Sequence, residues 1–330
     1  MKNTLFVLLD GMEDDPNPAL NGRKPYEVAE MPFLHSKTDI RLTTTGRGYT
    51  QLFLNEFFTG HPPETARAAL EAQGLHLNMK DGRTAFRLSP ARIEGDTVVW
   101  SYEGEKYEKQ LVDHITERLD ELHEFSPEIK FFTNGRAVLT MDYPYEIPDF
   151  QSPPVNSEYF EIPGPLGDLV LGIQDEIGIT DYPWGCGKLG KQYPPYIEHM
   201  KAVSSSPTAL GVAASLGYEI QIIKEIEPRL PAAKEALEKG NVFLHFDEVD
   251  EYSHEKDYQK KIDVLEKIDG LMDKYFSDAE RIVFFVDHGT SCVSGEHILM
   301  NVPLWTNIKT PLTTDGISVL KDLIPTFMRY

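Results

Sequence analysis

The chain has 330 residues, of which 41% are apolar, and its formal net charge is −21 at pH 7. This length favours two domains, and the strong negative charge argues against nucleic acid or an anionic membrane as a partner, since both require basic surfaces. No apolar run reaches the roughly 18 residues of a membrane-spanning helix. Two cysteines, Cys186 and Cys292, indicate no disulfide framework. We therefore predict a cytoplasmic protein.

The N-terminal region predicts a buried strand and, further on, a polar turn. Residues 4–9 (TLFVLL) form a short apolar run that ends at Asp10, as expected for a buried parallel strand. The run is too short for the apolar part of a signal peptide, and no small-residue cleavage site follows it. Residues 46–51 then form a glycine-containing turn with Thr50, and a helix is predicted over residues 61–73.

The middle of the chain predicts a separate small unit. Short strands are predicted at residues 84–88, 92–100, 130–133 and 137–141, around one helix at about residues 109–122. Such an arrangement is typical of an α+β unit inserted into a larger sheet domain, to which the proline-rich residues 143–165 would return the chain. We therefore predict a discontinuous core of residues 1–75 and 165–330, and an inserted unit of residues 76–164.

The last third of the chain alternates between helices and strands. The predicted elements are a helix from Ser206-Pro207 to Gly217, a strand at residues 218–223, a helix from Pro231 to Gly240, a strand at 242–246, an amphipathic helix at 258–275 and a strand at 282–286. A serine N-cap with proline at the first helical position supports the first helix, and apolar residues at helical spacing support the long one. This alternation predicts an α/β fold with a parallel sheet flanked by helices.

Three aspartates each follow an apolar strand, and histidines accompany them. The candidate ligands are Asp10, Asp250, His254, Asp287, His288 and His297. In open α/β sheets the functional residues gather beyond the carboxyl ends of the strands, so these side chains are expected at one edge. Asp250 and His254, four residues apart, could instead form a solvated surface pair. Carboxylates combined with imidazoles suit a two-metal site that holds Zn²⁺ or Mn²⁺.

A second glycine-containing segment looks superficially like a phosphate-binding loop. The sequence WGCGKLGKQ, residues 184–192, nearly matches the nucleotide-binding pattern. However, Gln192 replaces the hydroxyl that binds Mg²⁺, and Pro194-Pro195 blocks an immediate helix. We therefore do not predict nucleotide binding.

The metal motifs resemble those of a known family. Asp10-Gly-Met, the DEYSH segment at residues 250–254, and DHGTSC from Asp287 with the later His297 resemble the archaeal-type, cofactor-independent phosphoglycerate mutases of the alkaline phosphatase superfamily. Weaker similarities occur in GRKPYEVAEMP, ARAALEAQG, TAFRLSPARIEGD, GRAVL and PWGCGK. The resemblance implies an alkaline phosphatase-like core, a substrate-binding cap formed by the inserted unit, and a small phosphorylated metabolite as substrate.

The resemblance also implies a division of the ligands between two divalent metal ions. Asp250, His254 and His297 would hold one ion. Asp10, Asp287 and His288 would hold the other, together with the oxygen of the nucleophile. Mn²⁺ or Zn²⁺ is expected, with Mg²⁺ or Co²⁺ as alternatives.

Thr50 is the predicted nucleophile. The family has a serine in a glycine-containing turn before a helix, and this chain has Gly48-Tyr49-Thr50-Gln51 there, with Leu54 where the family has a histidine. A helix beginning after the turn would offer N–H groups to phosphoryl oxygens. The alternative is that Thr50 only caps that helix. The weaker candidates outside the turn are Thr43, Thr44 and Thr45.

The predicted reaction is phosphoryl transfer through a phosphothreonine. If the second acceptor is the other hydroxyl of bound glycerate, the enzyme interconverts 2- and 3-phosphoglycerate; if it is water, the enzyme is a phosphomonoesterase. The chain before PWGCGK is shorter than in the family and lacks residues that help to bind the acid group of the substrate. A metal-binding scaffold without catalysis is the third alternative.

Two arginines of the inserted unit are predicted to bind the substrate. Arg87 in TAFR and Arg136 in GRAVL correspond to basic residues of the family's cap. An anionic group taken out of water is best matched by bidentate guanidinium partners. The alternative is that both are exposed strand arginines.

Overall fold

The computed structural model describes residues 2–37, 40–101, 104–146, 158–312 and 316–330. These residues divide into two compact units. The first unit comprises the chain up to Pro63 together with Tyr193–Tyr330, and the second unit is Glu64–Gln192. Each unit has its own sheet and its own buried apolar residues.

The strands are numbered along the chain. They are β1 (Leu5–Leu9), β2 (Ile40–Thr45), β3 (Thr84–Glu94), β4 (Thr97–Trp100), β5 (Glu128–Phe131), β6 (Ala137–Met141), β7 (Thr180–Gly187), β8 (Met200–Ser204), β9 (Glu219–Ile222), β10 (Asn241–Phe246), β11 (Ile282–Phe285), β12 (Gly289–Thr290), β13 (His297–Ile298), β14 (Asn301–Thr306) and β15 (Ile317–Ser318).

The α-helices are numbered in the same way. They are α1 (Pro25–Val28), α2 (Pro32–Lys37), α3 (Thr50–Thr59), α4 (Arg67–Gly74), α5 (Gly104–Arg118), α6 (Pro165–Ile177), α7 (Pro207–Ser215), α8 (Ile226–Lys239), α9 (Glu248–His254), α10 (Tyr258–Phe276) and α11 (Leu320–Phe327). Short 3₁₀ helices occur at Pro18–Leu20, Lys80–Gly82, Leu119–Phe125 and Thr133–Gly135.

The sheet of the first unit has the strand order β15-β2-β14-β11-β1-β10-β8-β9. Its central strands β11, β1, β10, β8 and β9 are parallel, with Leu5 opposite Val242 on one side and Ile282 on the other. Strand β1 consists of buried apolar residues, as expected where helices cover both faces of a parallel sheet. Strand β14 is antiparallel to β11 and β2. The predicted α/β class is confirmed, while β2, β8, β14 and β15 are additions to the prediction.

Helices hold the ends of these strands in place. Helix α3 packs against α7 and α11, and α10 packs against α1, α2, α8 and α9. Phe57 of α3 stacks on Phe285 of β11 with 4.5 Å between ring centroids, and Phe53 stacks on the same ring. This aromatic packing anchors the helix that begins with Thr50 to the strand that precedes Asp287.

The second unit combines strands with two main helices. Its strands have the order β4-β3-β6-β5, and β7 also pairs with β3. Apolar residues of α5 and α6 share one core with this sheet, including Leu111, Ile115, Leu166 and Ile173. The unit is α+β in composition, and it begins before and ends after the predicted boundaries at 76 and 164, because α4, α6 and β7 pack within it.

Several predicted elements differ in extent from the observed ones. The strand predicted over residues 92–100 is a hairpin, because Gly95, with φ of +64°, turns the chain between β3 and β4. The helix predicted from Pro231 begins at Ile226. The helix predicted over residues 61–73 begins at Arg67, after Pro62-Pro63. The helix predicted at about residues 109–122 runs over Gly104–Arg118 and continues as 3₁₀ turns.

Part of the predicted linker cannot be compared with the structure. Residues 147–157 of the proline-rich passage 143–165 lie outside the described residues. Helix α6 follows directly at Pro165, and its apolar residues pack in the second unit, not in the first as predicted. Among the described helices, none is both long enough and apolar enough to cross a membrane. The cytoplasmic location stays a prediction.

Candidate metal centre

The carboxyl ends of three neighbouring parallel strands bring the predicted ligands together. Asp10 follows β1, α9 after β10 carries Asp250 and His254, and Asp287 with His288 follows β11. Two groups of side chains could each hold a metal ion, because within each group the ligand atoms lie within 4.8 Å of one another. The first group is Asp10, Asp287 and His288, and the second group is Asp250, His288 and His297. His288 therefore faces both groups, whereas the resemblance implied only the first.

The helix α9 places Asp250 and His254 on one side of the second group. His254 Nε2 lies 3.1 Å from Asp250 Oδ2 and 3.1 Å from His297 Nε2. The two residues contact each other and His297, so they are not merely a solvated surface pair. Their role as ligands stays a prediction.

Main-chain carbonyl groups orient two of the imidazoles. His254 Nδ1 lies 2.7 Å from Gly295 O, and His297 Nδ1 lies 2.7 Å from Gly48 O. A carbonyl oxygen only accepts, so each Nδ1 donates a proton to it. In a neutral ring this leaves the lone pair on Nε2, directed into the group of ligands.

The carboxylates of the other group are buried. Asp10 is 4% exposed and Asp287 is fully buried. Oδ1 of Asp287 accepts hydrogen bonds from the main-chain N–H groups of Gly11 and His288 at 3.2 and 3.0 Å, while Oδ2 has no hydrogen-bond partner. Burial, followed by repulsion from Asp287 and Asp250, raises the pKa of Asp10 well above its usual value. Buried carboxylates with an unpaired oxygen and imidazole neighbours fit a divalent metal ion.

The second group has the opposite electrostatic character. Burial alone would raise the pKa of Asp250, but His254 and His297 outweigh it and hold that pKa well below its usual value. Burial alone would also lower the pKa of His254, yet attraction to Asp250 raises it to about 9. Without a metal ion, a proton on the imidazole balances the carboxylate.

Thr50 lies at the first group of ligands. It is the first residue of α3, follows the N-cap Tyr49, and is 9% exposed. Its Oγ1 lies 3.3 and 3.4 Å from the two carboxylate oxygens of Asp10, and 3.4 Å from His288 Nε2. Thr50 is therefore not the N-cap residue of this helix. Its hydroxyl faces the candidate metal ligands.

The turn before Thr50 is fixed to the same strand ends. Arg47 N donates to Asp287 O at 2.8 Å, and Gly46 N donates to Met300 O at 3.0 Å. The other threonine candidates lie on β2, where the Thr44 hydroxyl donates to Ser318 O. Leu54 is fully buried and contributes only apolar packing.

Two buried polar residues of this region were not among the site residues predicted from the sequence. His245 in β10 is fully buried, and its Nε2 lies 2.8 Å from Asp10 Oδ2. Lys261 is fully buried in α10. Both carried a sequence signal, because one interrupts an apolar strand and the other occupies the apolar face of an amphipathic helix.

Lys261 ties together the loops that carry the ligands. Its ammonium group donates to Gly11 O at 2.9 Å, to Thr290 O at 3.1 Å and to Asp14 Oδ2 at 2.9 Å. Asp14 in turn accepts a hydrogen bond from Cys292 N at 3.1 Å. One buried ion pair thus connects the loop after Asp10 with the loop after His288.

The two predicted substrate-binding arginines lie in the second unit. Arg87 is 5% exposed, forms an ion pair with the buried Glu71, and has the ring of Trp184 5.0 Å from its guanidinium carbon. The alternative of an exposed strand arginine is therefore wrong for Arg87. Burial, together with the charges of Arg67 and Arg136 and against the opposing charge of Glu71, lowers its pKa to about 10. Their contact with a substrate stays a prediction.

The segment that looked like a phosphate loop begins as a strand. Residues 184–187 belong to β7, which pairs with β3 through Trp184 and Gly187, while residues 188–192 form neither helix nor strand. A nucleotide-binding loop continues directly into a helix, whereas the next element after residue 192 is the strand β8.

Comparison with known proteins supports the predicted relationship. Residues 205–311 match the family model described as Metalloenzyme superfamily. The 2,3-bisphosphoglycerate-independent phosphoglycerate mutase of Pyrobaculum calidifontis is 25% identical, with 99% of this chain and 92% of that protein covered. The protein of the same name from Saccharolobus solfataricus is 24% identical, with 95% and 90% covered.

Two solved structures share the fold. The PH0037 protein of Pyrococcus horikoshii has a TM-score of 0.70 and 20% identity, covering 99% of this chain and 97% of that one. The cofactor-independent phosphoglycerate mutase of Thermoplasma acidophilum has a TM-score of 0.55 and 18% identity, covering 99% of both chains. These structures confirm the predicted fold class, and the sequence matches confirm the predicted resemblance and the metal-dependent enzyme class.

Proposed function

We propose that this chain is a phosphoryl-transfer enzyme that uses Thr50 as its nucleophile and a small phosphorylated metabolite as its substrate. The main support is the position of Thr50 Oγ1, within 3.4 Å of Asp10 and His288 at the beginning of α3. The names of the two relatives favour interconversion of 2- and 3-phosphoglycerate as the reaction.

The candidate ligands fit two divalent ions, Mn²⁺ or Zn²⁺, with Mg²⁺ or Co²⁺ as alternatives. Asp250, His254 and His297 would hold one ion; Asp10, Asp287 and His288 would hold the other with Thr50. When bound, such ions lower the pKa of a coordinated hydroxyl and neutralise charge on phosphoryl oxygens.

The chain's own groups suit attack by Thr50 on a phosphoryl group. The bond from Oγ1 to phosphorus forms while the bond from phosphorus to the substrate oxygen breaks, which gives a phosphothreonine and an alcohol. The polar atoms nearest to Thr50 Oγ1 are the Asp10 oxygens and His288 Nε2, which would hold the metal ion, so the Thr50 proton leaves to water and the departing substrate oxygen takes up a proton to become the alcohol. The N–H groups of Thr50 and Gln51 precede the first bond of α3, which Leu52 N donates to Tyr49 O, and they can donate to the phosphoryl oxygens.

The molecule that accepts the phosphoryl group from Thr50 determines which reaction the enzyme catalyses. If the neighbouring hydroxyl of bound glycerate attacks the phosphothreonine, the products are the two phosphoglycerates. If water attacks, the product is inorganic phosphate. Exclusion of water from the site therefore separates a mutase from a phosphatase.

Two observations support a phosphomonoesterase as the second candidate. The guanidinium of Arg87 is already paired with the buried Glu71, so it is less available for the carboxylate of a phosphoglycerate. In addition, the match to the Pyrobaculum calidifontis protein extends over 393 aligned positions although this chain has 330 residues. That relative therefore contains residues that this chain lacks.

The test is a panel of phosphorylated metabolites with Mn²⁺, Mg²⁺, Zn²⁺ or Co²⁺, followed by ³¹P NMR and by mass spectrometry of acid-quenched enzyme. We expect phosphate on the peptide that contains Thr50. Interconversion of the phosphoglycerates identifies a mutase, and release of phosphate identifies a phosphatase. Metal binding with neither turnover nor phosphothreonine, for every metabolite and metal, would instead support the scaffold alternative. Metal-stripped enzyme is the control.

A further inference from the structure

A chain of buried hydrogen bonds leads from helix α7 to Asp10. Ser206 N donates to Ser204 Oγ at 2.9 Å, Ser204 Oγ lies 2.7 Å from His245 Nδ1, and His245 Nε2 lies 2.8 Å from Asp10 Oδ2. Ser204 and His245 are fully buried, at the ends of the neighbouring strands β8 and β10.

Chemistry sets the direction of these bonds. The form of Asp10 that binds a metal ion is the ionised carboxylate, which only accepts, so in that form His245 Nε2 donates to Asp10 Oδ2 at 2.8 Å. With that proton on Nε2, the lone pair of Nδ1 accepts the hydroxyl proton of Ser204, whose Oγ lies 2.7 Å away. Ser204 is free to donate because its own oxygen accepts from the main-chain N–H of Ser206. In this series of hydrogen bonds, each donor therefore lies on the side of Ser206 and each acceptor on the side of Asp10.

We propose that His245, oriented by Ser204, is a positioning residue that holds the Asp10 carboxylate in the orientation needed to bind a metal ion. His245 Nε2 contacts Asp10 Oδ2, which leaves Asp10 Oδ1 facing His288 Nε2 at 3.4 Å within the first group of ligands. This inference rests on the metal site of the proposed function. It does not require that Thr50 be the nucleophile.

The register of the sheet makes this support rigid. His245 lies opposite Leu8 in the parallel pair of β1 and β10, and Asp10 N donates to Phe246 O at 3.2 Å. The main-chain oxygen of His245 accepts from the fully buried Arg229. These contacts fix the main chain of His245, and Ser204 Oγ, 2.7 Å from Nδ1, orients the ring itself towards Asp10.

The experiment compares metal affinity among variants by titration calorimetry with Mn²⁺ and with Zn²⁺. His245→Leu removes the donor, whereas His245→Gln keeps an N–H group near the position of Nε2. Ser204→Ala leaves His245 in place but removes the group that orients it. Thr306→Val is the matched control, because Thr306 is also buried, donates to Ile282 O and accepts from Ile308 N, away from the ligands.

We expect His245→Leu to weaken metal binding by about 10- to 100-fold, as for other groups that orient metal ligands, and Ser204→Ala to weaken it severalfold. His245→Gln and Thr306→Val should stay close to the parent. A second readout is the tautomer of His245 in the Zn²⁺-bound protein, from ¹⁵N–¹H correlation spectra assigned by comparison with His245→Gln. We expect the proton on Nε2.

Parent-like affinity in folded His245→Leu and Ser204→Ala would overturn the inference, as would a proton on Nδ1. If His245→Leu does not fold, Ser204→Ala and the tautomer still decide the matter. A parent protein that binds metal but forms no phosphothreonine contradicts the proposed function alone.

Discussion

The Nε2 atoms of His254 and His297 face each other at 3.1 Å, while Nδ1 of each ring is bonded to a main-chain carbonyl oxygen. Two neutral rings held in this way would direct their lone pairs at each other. A proton or a metal ion between them removes the repulsion. Asp250 lies 3.1 Å from one of these nitrogens, which supplies the negative charge that either cation requires.

Removal of single ligands should lower the metal content. His297→Ala and Asp287→Ala each take one donor from a small group, so we expect each variant to lose about one bound ion per chain. Plasma mass spectrometry of purified protein measures this. His123→Ala is the control, because His123 is exposed in the second unit. Parent-like metal content in both ligand variants would rule out the proposed site.

Substitution of Thr50 separates the nucleophile from a structural threonine. Thr50→Ala should abolish turnover and phosphoenzyme, yet cost only about 1 kcal/mol of unfolding free energy, as for a typical lost hydrogen bond, because Thr50 does not cap the helix. Thr50→Ser keeps the hydroxyl and should remain active. Thr59→Ala is the matched control, since Thr59 lies on the same helix and its hydroxyl bonds main-chain groups. Turnover by Thr50→Ala at the parent rate would exclude the covalent mechanism.

The arginines of the second unit can be tested for substrate contact. Lysine keeps the charge but not the bidentate geometry, so Arg87→Lys and Arg136→Lys should each raise KM or lower kcat severalfold. Because Arg87 is paired with the buried Glu71, its variant should also unfold more easily than the parent. Steady-state kinetics and thermal unfolding measured together distinguish the two effects. Unchanged kinetics in both variants would contradict a role in substrate binding.

Loss of the buried lysine should destabilise the first unit. Lys261→Met leaves the buried carboxylate of Asp14 without its cation, which typically costs about 3–5 kcal/mol. The neighbouring Lys260→Met is a close control, because that lysine is half exposed and its pair with Glu255 lies at the surface. Denaturant unfolding of both variants measures the difference. Equal stability of the two would show that the buried pair contributes little.

The buried carboxyl group of Asp181 should make the unfolding free energy of the second unit depend on pH. It is 2% exposed, its carboxyl oxygens have no hydrogen-bond partner, and burial raises its pKa well above the usual value. Above about pH 3.9 the unfolded chain loses this proton while the folded chain keeps it, so stability falls by about 1.4 kcal/mol per pH unit up to the raised pKa.

The amide side chain in Asp181→Asn does not titrate, so it adds no pH dependence in either the folded or the unfolded state. We therefore expect the variant to gain stability relative to the parent as pH rises from about 4, by denaturant unfolding at several pH values. Asp175→Asn, at an exposed position of α6, is the control. A difference between parent and Asp181→Asn that did not change with pH would contradict a buried, protonated carboxyl group.

The local patterns of the chain predicted much of the first unit. Apolar runs at residues 4–9, 242–246 and 282–286 correspond to β1, β10 and β11, and Ser206 caps α7 as expected. Predicted element boundaries were less accurate near prolines: the helix predicted to begin at Pro231 begins at Ile226, so this proline lies inside α8. Strands β2, β8, β14 and β15 were not predicted; β14 contains Pro303, which is uncommon inside a strand, and β15 has only two residues.

The sequence by itself determined which residues stand at the ends of the buried strands, because parallel strands carry any polar residue that follows them to one edge of the sheet. Only the tertiary structure decided how those residues are supported. The contact of His245 with Asp10, the bonds of Lys261 to two ligand loops, and the pairing of Glu71 with Arg87 all join residues far apart in the chain. Such pairings have no periodicity in the sequence, since burial and geometry arise only when separate elements pack together.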